Sequence, residues 1–246
     1  MIRLLTTYYP ESNPEREAEY EESLKRNAEC PAIEEIVVFN ECPDFPVKNS
    51  KFRIVPIKER PIYSQFFNYI NNVASSEDIN IVANSDIYFD KSIRALNYLN
   101  LQDVCLALSR WEDSGDGHLN LFDRCDSQDC WIFKGRIKDV EADFPLGVPR
   151  CDNRLAYELE RAGYRVLNPA FSITTHHLHS GIREEYEAEN LPDFVPPPYK
   201  YVWPHNLYGC FRTVVHNLRH REAAVGYRID KRRLSQLIPW RVRRLV

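Results

Sequence analysis

Apolar and polar positions follow two alternating rhythms along the first hundred residues. Ile2 to Tyr8 reads as a first strand. Ser12 followed by Glu15, with Pro14 between them, resembles a capping box and predicts a helix to about Ala28. Ile33 to Phe39 and Phe52 to Ile57 read as second and third strands. Ile62, Phe66, Ile70 and Val73 then recur at helical spacing, so Pro61 or Ser64 opens an amphipathic helix. A further buried strand begins at Ile79. Strands alternating with helices predict an α/β domain with a largely parallel sheet.

The second half is less regular. Val104 to Leu108 and Cys130 to Phe133 read as strands flanking a polar loop from Trp111 to Gln128. Asn153 to Ala162 is a short helix with Leu155 and Leu159 on one face and Gly163 as its stop. Val166 to Thr175 reads as a last strand that runs into histidines. Leu191 to Pro204, rich in proline and aromatics, crosses the surface as an ordered strap, and Leu207, Phe211, Val214 and Leu218 mark another helix. There is no internal repeat. Residues 1–205 are expected to form one α/β domain and 206–246 a helical basic extension.

With 246 residues, 43% hydrophobic and 12% aromatic, the chain can bury one large core or two small ones. It has no apolar run long enough to span a bilayer. The apolar core of its first ten residues is too short for a signal peptide. Seven cysteines are widely spaced. Cys125, Cys130 and Cys151 fit no familiar zinc module, so reduced cytosolic thiols are expected. The net charge of −4 hides an asymmetry: after Asn217 stand nine basic residues against Glu222 and Asp230, a net +7 that leaves −11 for the preceding chain. Such a tail suits a polyanion or an anionic membrane surface. Basic residues gathered at one end of an acidic body argue against a nucleic-acid binder.

Asp86 stands where the Ile79 strand ends, after Asn84 and Ser85. The carboxyl end of a strand is where open α/β sheets bind ligands, and a carboxylate there is the hard ligand that Mg2+ or Mn2+ uses to bridge phosphates. All three residues also favour plain turns. Asp90 reads as an N-cap of the helix from about Ser92. Asp152 suits an N-cap before Asn153, and the same position projects a general base into a cleft. His176, His177 and His179 end an apolar stretch, with Arg183 shortly after. Alternation puts His177 and His179 on one face, able to complete a metal shell or meet a phosphate; a solvated strand end would look the same. Arg60, Tyr63, Gln65 and Asn68 surround a helix start that could hold a nucleotide or be an ordinary cap. Trp111, Asp126, Ser127, Gln128 and Asp129 offer an aromatic plate and polar groups suited to a sugar, or to a half-buried loop.

In this order the segments resemble a glycosyltransferase of the GT-A fold, similar to bacterial family 2-like enzymes that use nucleotide-sugar donors. The resemblance covers about residues 2 to 185. It implies that Asn84, Ser85 and Asp86 stand where that family has its DxD motif, with Asn in place of the first Asp. It implies a Mn2+ or Mg2+ cofactor held by Asp86 with His177 or His179. Gly147 and Cys151-Asp152 match the family's acidic pair at a helix start, with Asp152 as the base. Thr6, Thr7 and Asn40 would bind the nucleotide together with Arg60, Tyr63, Gln65, Asn68, Asn84, Ser85 and Arg183. Trp111, Ser127, Gln128, Asp129 and Asn153 would meet the acceptor or sugar. The implied reaction transfers a sugar to a hydroxyl of a glycan or lipid-linked glycan, with inversion, in surface polysaccharide or lipopolysaccharide synthesis. The tail alternates Arg228, Lys231, Arg232 and Arg233 with Ile229, Leu234, Leu237, Ile238 and Trp240, as a peripheral protein on the cytoplasmic face of a membrane would. Two other readings stand beside this one. A sugar nucleotidyltransferase would carry a glycine-rich basic loop after the first strand, and Thr6 to Glu17 contains no glycine. A non-catalytic nucleotide-sugar or glycan-binding module would tolerate Asn84.

Overall fold

A computed structural model of the chain describes residues 1–113, 118–178 and 194–207. Its main sheet comprises β1 (Ile2–Tyr8), β2 (Glu35–Asn40), β3 (Phe52–Pro56), β4 (Ile79–Ala83), β6 (Val104–Leu108), β9 (Cys130–Lys134) and β10 (Arg165–Leu167). A smaller sheet comprises β5 (Ile87–Phe89), β7 (Trp111–Asp113), β8 (Leu119–Leu121) and β11 (Thr175–Leu178). The helices are α1 (Pro14–Glu29), α2 (Tyr63–Val73) and α3 (Cys151–Arg161), with a 3-10 helix at Lys91–Tyr98.

The main sheet runs β10-β6-β9-β4-β1-β2-β3, and every neighbouring pair is parallel except those made by β9. This mostly parallel α/β sheet with helices on both faces is the fold class read from the sequence. Strands buried on both faces need apolar side chains pointing both ways, which explains their continuous apolar runs. Leu4, Ile36, Val38 and Ile81 pack with Tyr20 and Leu24 of α1 and with Ile93 of the 3-10 helix. Leu5, Val37, Phe39 and Val82 pack with Phe66 and Ile70 of α2 and with Leu155 and Leu159 of α3.

From β1 the chain winds outward through β2 and β3, then returns to lay β4 on the other side of β1. The strand order therefore reverses between β1 and β4, and the carboxyl ends of strands at such a switch point are where open α/β sheets bind ligands. Because β9 runs antiparallel, its amino end reaches the same edge, where Asn84 N–H donates to Asp129 O at 3.1 Å.

Several boundaries differ from the sequence reading. The N-cap of α1 is Asn13 rather than Ser12; its Oδ1 accepts from Glu15 N–H at 2.9 Å, and Pro14 occupies the first helical position, where no donor is needed. Helix α2 starts at Tyr63 after Ile62, whose N–H donates to Gln65 Oε1 at 3.0 Å. Asp152 is no N-cap: that position belongs to Arg150, left-handed at φ 70°, and Asp152 lies inside the first turn. The single last strand is two strands in two sheets, because Pro169 O accepts from Ser172 and Ile173 N–H in a turn between β10 and β11. Asp90 caps the 3-10 helix as expected, accepting from Ser92 N–H at 2.8 Å. Gly163, at φ +86°, ends α3.

Candidate active site

The turn from β4 to β5 carries Asn84, Ser85 and Asp86 out of the main sheet and into the small one. In the small sheet His177 is paired with Ile87 on one side and with Glu112 on the other. Register therefore brings His177 and Glu112 together, and Asp86, in the turn just before Ile87, reaches the same imidazole. His177 Nε2 lies 3.1 Å from Asp86 Oδ2, and His177 Nδ1 lies 2.6 Å from Glu112 Oε2. His176 points to the other face, as alternation requires, and stacks on Tyr88 with ring centroids 4.6 Å apart.

Arginines extend this set in both directions. Arg16 of α1 donates to Asp86 Oδ2 at 3.2 Å and to Glu19 at 2.6 Å. Arg110, at the end of β6, donates from Nε to Glu112 Oε1 at 2.7 Å and from Nη1 to both Asp129 oxygens at 3.2 Å. Its guanidinium also lies over the Phe122 ring, 4.0 Å from the centroid. Asn84 Nδ2 donates to Asp129 Oδ1 at 3.0 Å. One residue earlier, Gln128 N–H donates to Asp152 Oδ2 at 3.0 Å. The contacts thus run unbroken from Arg16 through Asp86, His177, Glu112, Arg110 and Asp129 to the loop that holds Asp152.

The electrostatics follow from this wiring. Burial would lower the pKa of His177, but Asp86 and then Glu112 outweigh it and raise it to about 9. Glu112 is lowered to about 2: burial, which raises it, is outweighed by His177 and Arg110. Asp152 moves the other way. Burial, aided by the charges of Asp129 and Asp126, raises it to about 7 against the hydrogen bonds from Gln128 and Asn153 N–H. A carboxylate at that value exists in both protonation states near neutral pH, which suits a group that takes and returns a proton.

The other expected site residues lie in varied places. Thr6, Thr7 and Asn40 sit at the carboxyl ends of β1 and β2; Asn40 folds into a local turn with Cys42. Arg60 lies over the Tyr9 ring at 5.5 Å. Tyr63 is fully buried against Trp131, Phe67 and Phe144, with its hydroxyl 3.5 Å from Cys151 Sγ; it is part of the core and cannot reach a nucleotide. Gln65 is engaged in capping α2. Asn68 lines a separate cleft of about 670 Å3 between α2 and α3, with Lys138, Glu141 and Arg161. Trp111 donates its indole N–H to Ala170 O at 2.8 Å. Ser127 Oγ lies 3.5 Å from Arg110 Nη1. The Gln128 and Asn153 side chains are buried and reach the strap: Gln128 Nε2 to Val202 O and Asn153 Nδ2 to Lys200 O, both at 3.4 Å. His179, Arg183 and the basic tail lie outside the described residues.

Arg16, Arg110 and Glu112 escaped the sequence reading. Arg110 could have been found by the logic that singled out Asp86, since it closely follows the apolar strand Val104–Leu108 at the same sheet edge. Arg16 carried no comparable signal within its helix.

The chemistry of the donor set suits a divalent ion. A carboxylate oxygen and an imidazole nitrogen 3.1 Å apart are spaced as two neighbouring ligands on one ion would be. The buried Asn84 Oδ1 has no hydrogen-bond partner, leaving an oxygen acceptor for a ligand donor or cation. Among the described residues no group of three or more His, Cys, Asp or Glu could hold a metal. Most of the ion's shell would therefore come from substrate phosphates and water. The six described cysteines are free.

No protein-family model matches the chain, and no curated protein is similar enough in sequence to match. Solved structures do resemble it. One is the mannosyltransferase PcManGT from Pyrobaculum calidifontis in complex with GDP-Man and Mn2+, with a TM-score of 0.47 at 14% identity. That match covers 76% of this chain and 59% of the other. A 4-diphosphocytidyl-2C-methyl-D-erythritol synthase from Anaerococcus prevotii gives 0.41 at 12% identity, covering 76% of this chain and 92% of that one. S. aureus TarS gives 0.42 at 12% identity, covering 100% of this chain and 50% of that one.

Proposed function

We propose that the chain is a glycosyltransferase that moves a sugar from a nucleotide-diphosphate donor to a hydroxyl of a glycan or lipid-linked glycan. The observation that carries this reading is Asp152. A carboxyl raised to about 7 accepts from Gln128 N–H, next to Asp129, whose contacts run through Arg110 and Glu112 to His177 and Asp86. A base poised for proton transfer and a cation-binding carboxylate at one sheet edge are what sugar transfer from a diphosphate requires.

In this reading Asp152 takes the proton of the acceptor hydroxyl as its oxygen attacks the anomeric carbon. The bond from that carbon to the diphosphate oxygen breaks, and the nucleoside diphosphate leaves with its electron pair. Attack from the side opposite the leaving group inverts the anomeric centre. Asp86 and His177 would hold Mn2+ or Mg2+, which supplies positive charge to the departing diphosphate. Arg16, which donates to Asp86, would bring a cation of the chain itself to the same phosphates. The basic tail after Asn217 would hold the protein peripherally on the cytoplasmic face of an anionic membrane, beside a lipid-linked acceptor in surface polysaccharide or lipopolysaccharide synthesis.

The test is calorimetric titration with UDP, GDP and dTDP, each with and without Mn2+, followed by hydrolysis of the matching sugar nucleotides. Micromolar binding of one nucleotide, and sugar release that disappears in Asp152→Asn while binding persists, is the expected result. Failure of all three nucleotides to bind would overturn the proposal.

A further inference from the structure

The carboxylate behind His177 has no role in the reaction as drawn, and its geometry is specific. Glu112 Oε2 meets His177 Nδ1 at 2.6 Å, on the ring nitrogen opposite the one that faces Asp86. Register in the small sheet makes the pair unavoidable, since His177 and Glu112 are parallel-strand partners. Glu112 is held in turn: its other oxygen accepts from Arg110 Nε at 2.7 Å, and Arg110 is anchored by both oxygens of Asp129. The His177 side chain is almost wholly inaccessible, so its ring cannot turn without breaking the Glu112 contact inside the protein. In metal-free protein both ring nitrogens face carboxylates; once an ion displaces the Nε2 proton, the Nδ1–H bond to the fixed Glu112 carboxylate leaves the Nε2 lone pair aimed at Asp86, the form in which histidine binds a metal.

We propose that Glu112, braced by Arg110, is a positioning residue that fixes the tautomer and aim of His177 so that Nε2 and Asp86 Oδ2 together receive the divalent ion of the donor complex. This inference rests on the donor-site reading above. Glu112 touches neither ion nor substrate in this arrangement. It acts through His177, as outer-shell carboxylates commonly act on ligating histidines, and their loss typically weakens metal affinity 10–100-fold.

The test is electron paramagnetic resonance of Mn2+ titrated into the full chain with whichever of UDP, GDP or dTDP binds. Wild-type, Glu112→Gln and Glu112→Ala proteins are compared after circular dichroism confirms their folding. Wild-type protein is expected to show 14N modulation from a coordinated imidazole. Glu112→Ala is expected to bind Mn2+ about 10–100-fold more weakly with that modulation lost. Glu112→Gln, whose Oε1 still accepts from Nδ1–H, is expected to retain the modulation at intermediate affinity. Unchanged affinity and modulation in folded Glu112→Ala would overturn the role of Glu112 while leaving the donor site standing. Wild-type protein that binds Mn2+ with none of the nucleotides would overturn the donor-site reading itself, and this inference with it.

Discussion

Arg110 Nη1 lies 3.2 Å from each carboxylate oxygen of Asp129, at the end of a buried arginine that also grips Glu112. One guanidinium thus ties the small sheet to the start of β9 and balances the buried Asp129 and the partly buried Glu112. Breaking such a pair from one side leaves an uncompensated buried charge, at about 3–5 kcal/mol. Arg110→Met should therefore lower stability by about that amount in urea denaturation. Adding Asp129→Asn should recover part of the loss, because one orphaned charge is gone. Simple additivity of the two substitutions would show that the pair is not coupled.

Asp152 combines a proposed catalytic duty with a structural cost. Its ionised form is disfavoured by burial and by Asp129 and Asp126. An asparagine there keeps an oxygen to accept from Gln128 N–H and has no charge to desolvate. Asp152→Asn should lower the transfer rate by a factor on the order of 100–10,000. In a thermal melt at pH 8 its midpoint should equal or exceed that of the wild type. A large drop would mean that the carboxylate is needed to build the fold.

Asp152 and His177 mark successive pH windows, each losing stabilisation as pH rises. For Asp152 the folded pKa of about 7 exceeds the ordinary 3.8, so between these values the folded state binds more protons than the unfolded state. Its contribution to stability therefore falls as pH rises from 3.8 to about 7 and is level above that. The transfer rate should rise over the last part of this window and reach a plateau above pH 7, as the base form fills. His177 is raised from 6.5 to about 9, so in metal-free protein its stabilisation is complete below 6.5 and is lost as pH rises through about 9. Denaturation from pH 5 to 10 should show both segments, and His177→Asn should remove only the upper one.

Asn168 binds the strap to the sheet. Its Nδ2 donates to Ser109 Oγ at 2.8 Å and Val202 O at 3.1 Å, and its Oδ1 accepts from Ser109 N–H at 3.1 Å. Asn168→Ala should leave buried Ser109 and Val202 groups without these partners, each worth about 1–3 kcal/mol. Hydrogen exchange measured by mass spectrometry should accelerate in residues 194–207 more than in β1 or β4. Uniform acceleration throughout the chain would place Asn168 in the global core instead.

Much of the architecture was legible because β2, β4 and β6 are dominated by apolar residues and α2 repeats at helical spacing. Asp86 was legible for the same reason, as a carboxylate closing an apolar strand. β5, β7 and β8 have three residues each, too short for periodicity to register, and they build the small sheet that completes the cluster. Glu112 and His177 stand 65 positions apart, so their meeting depends on strand register that no local pattern encodes. Tyr63 misled in the other direction: an aromatic residue at a helix start suits a nucleotide, but the helix turns it into the core against Trp131.

The pairing of ion and nucleotide yields the last prediction. In the proposed site Asp86 and His177 would supply a carboxylate and an imidazole, and no third His, Cys, Asp or Glu joins them in a metal-binding group among the described residues. Arg16 also holds Asp86 Oδ2, so an ion arriving alone must compete with a guanidinium for that oxygen. A diphosphate changes this balance by bringing further oxygens to the ion and a negative charge for Arg16. Mn2+ alone should therefore bind weakly, and the cognate nucleotide should tighten it by a factor on the order of 5–150, with Mn2+ tightening the nucleotide by the same factor. Arg16→Gln should strengthen binding of Mn2+ alone and shrink the mutual enhancement, because the competitor is gone and the diphosphate has lost a partner. Calorimetric titrations in both orders measure each arm of the cycle. Equal nucleotide affinity with and without Mn2+ would detach the ion from the donor and leave Asp86 to Arg16 and His177.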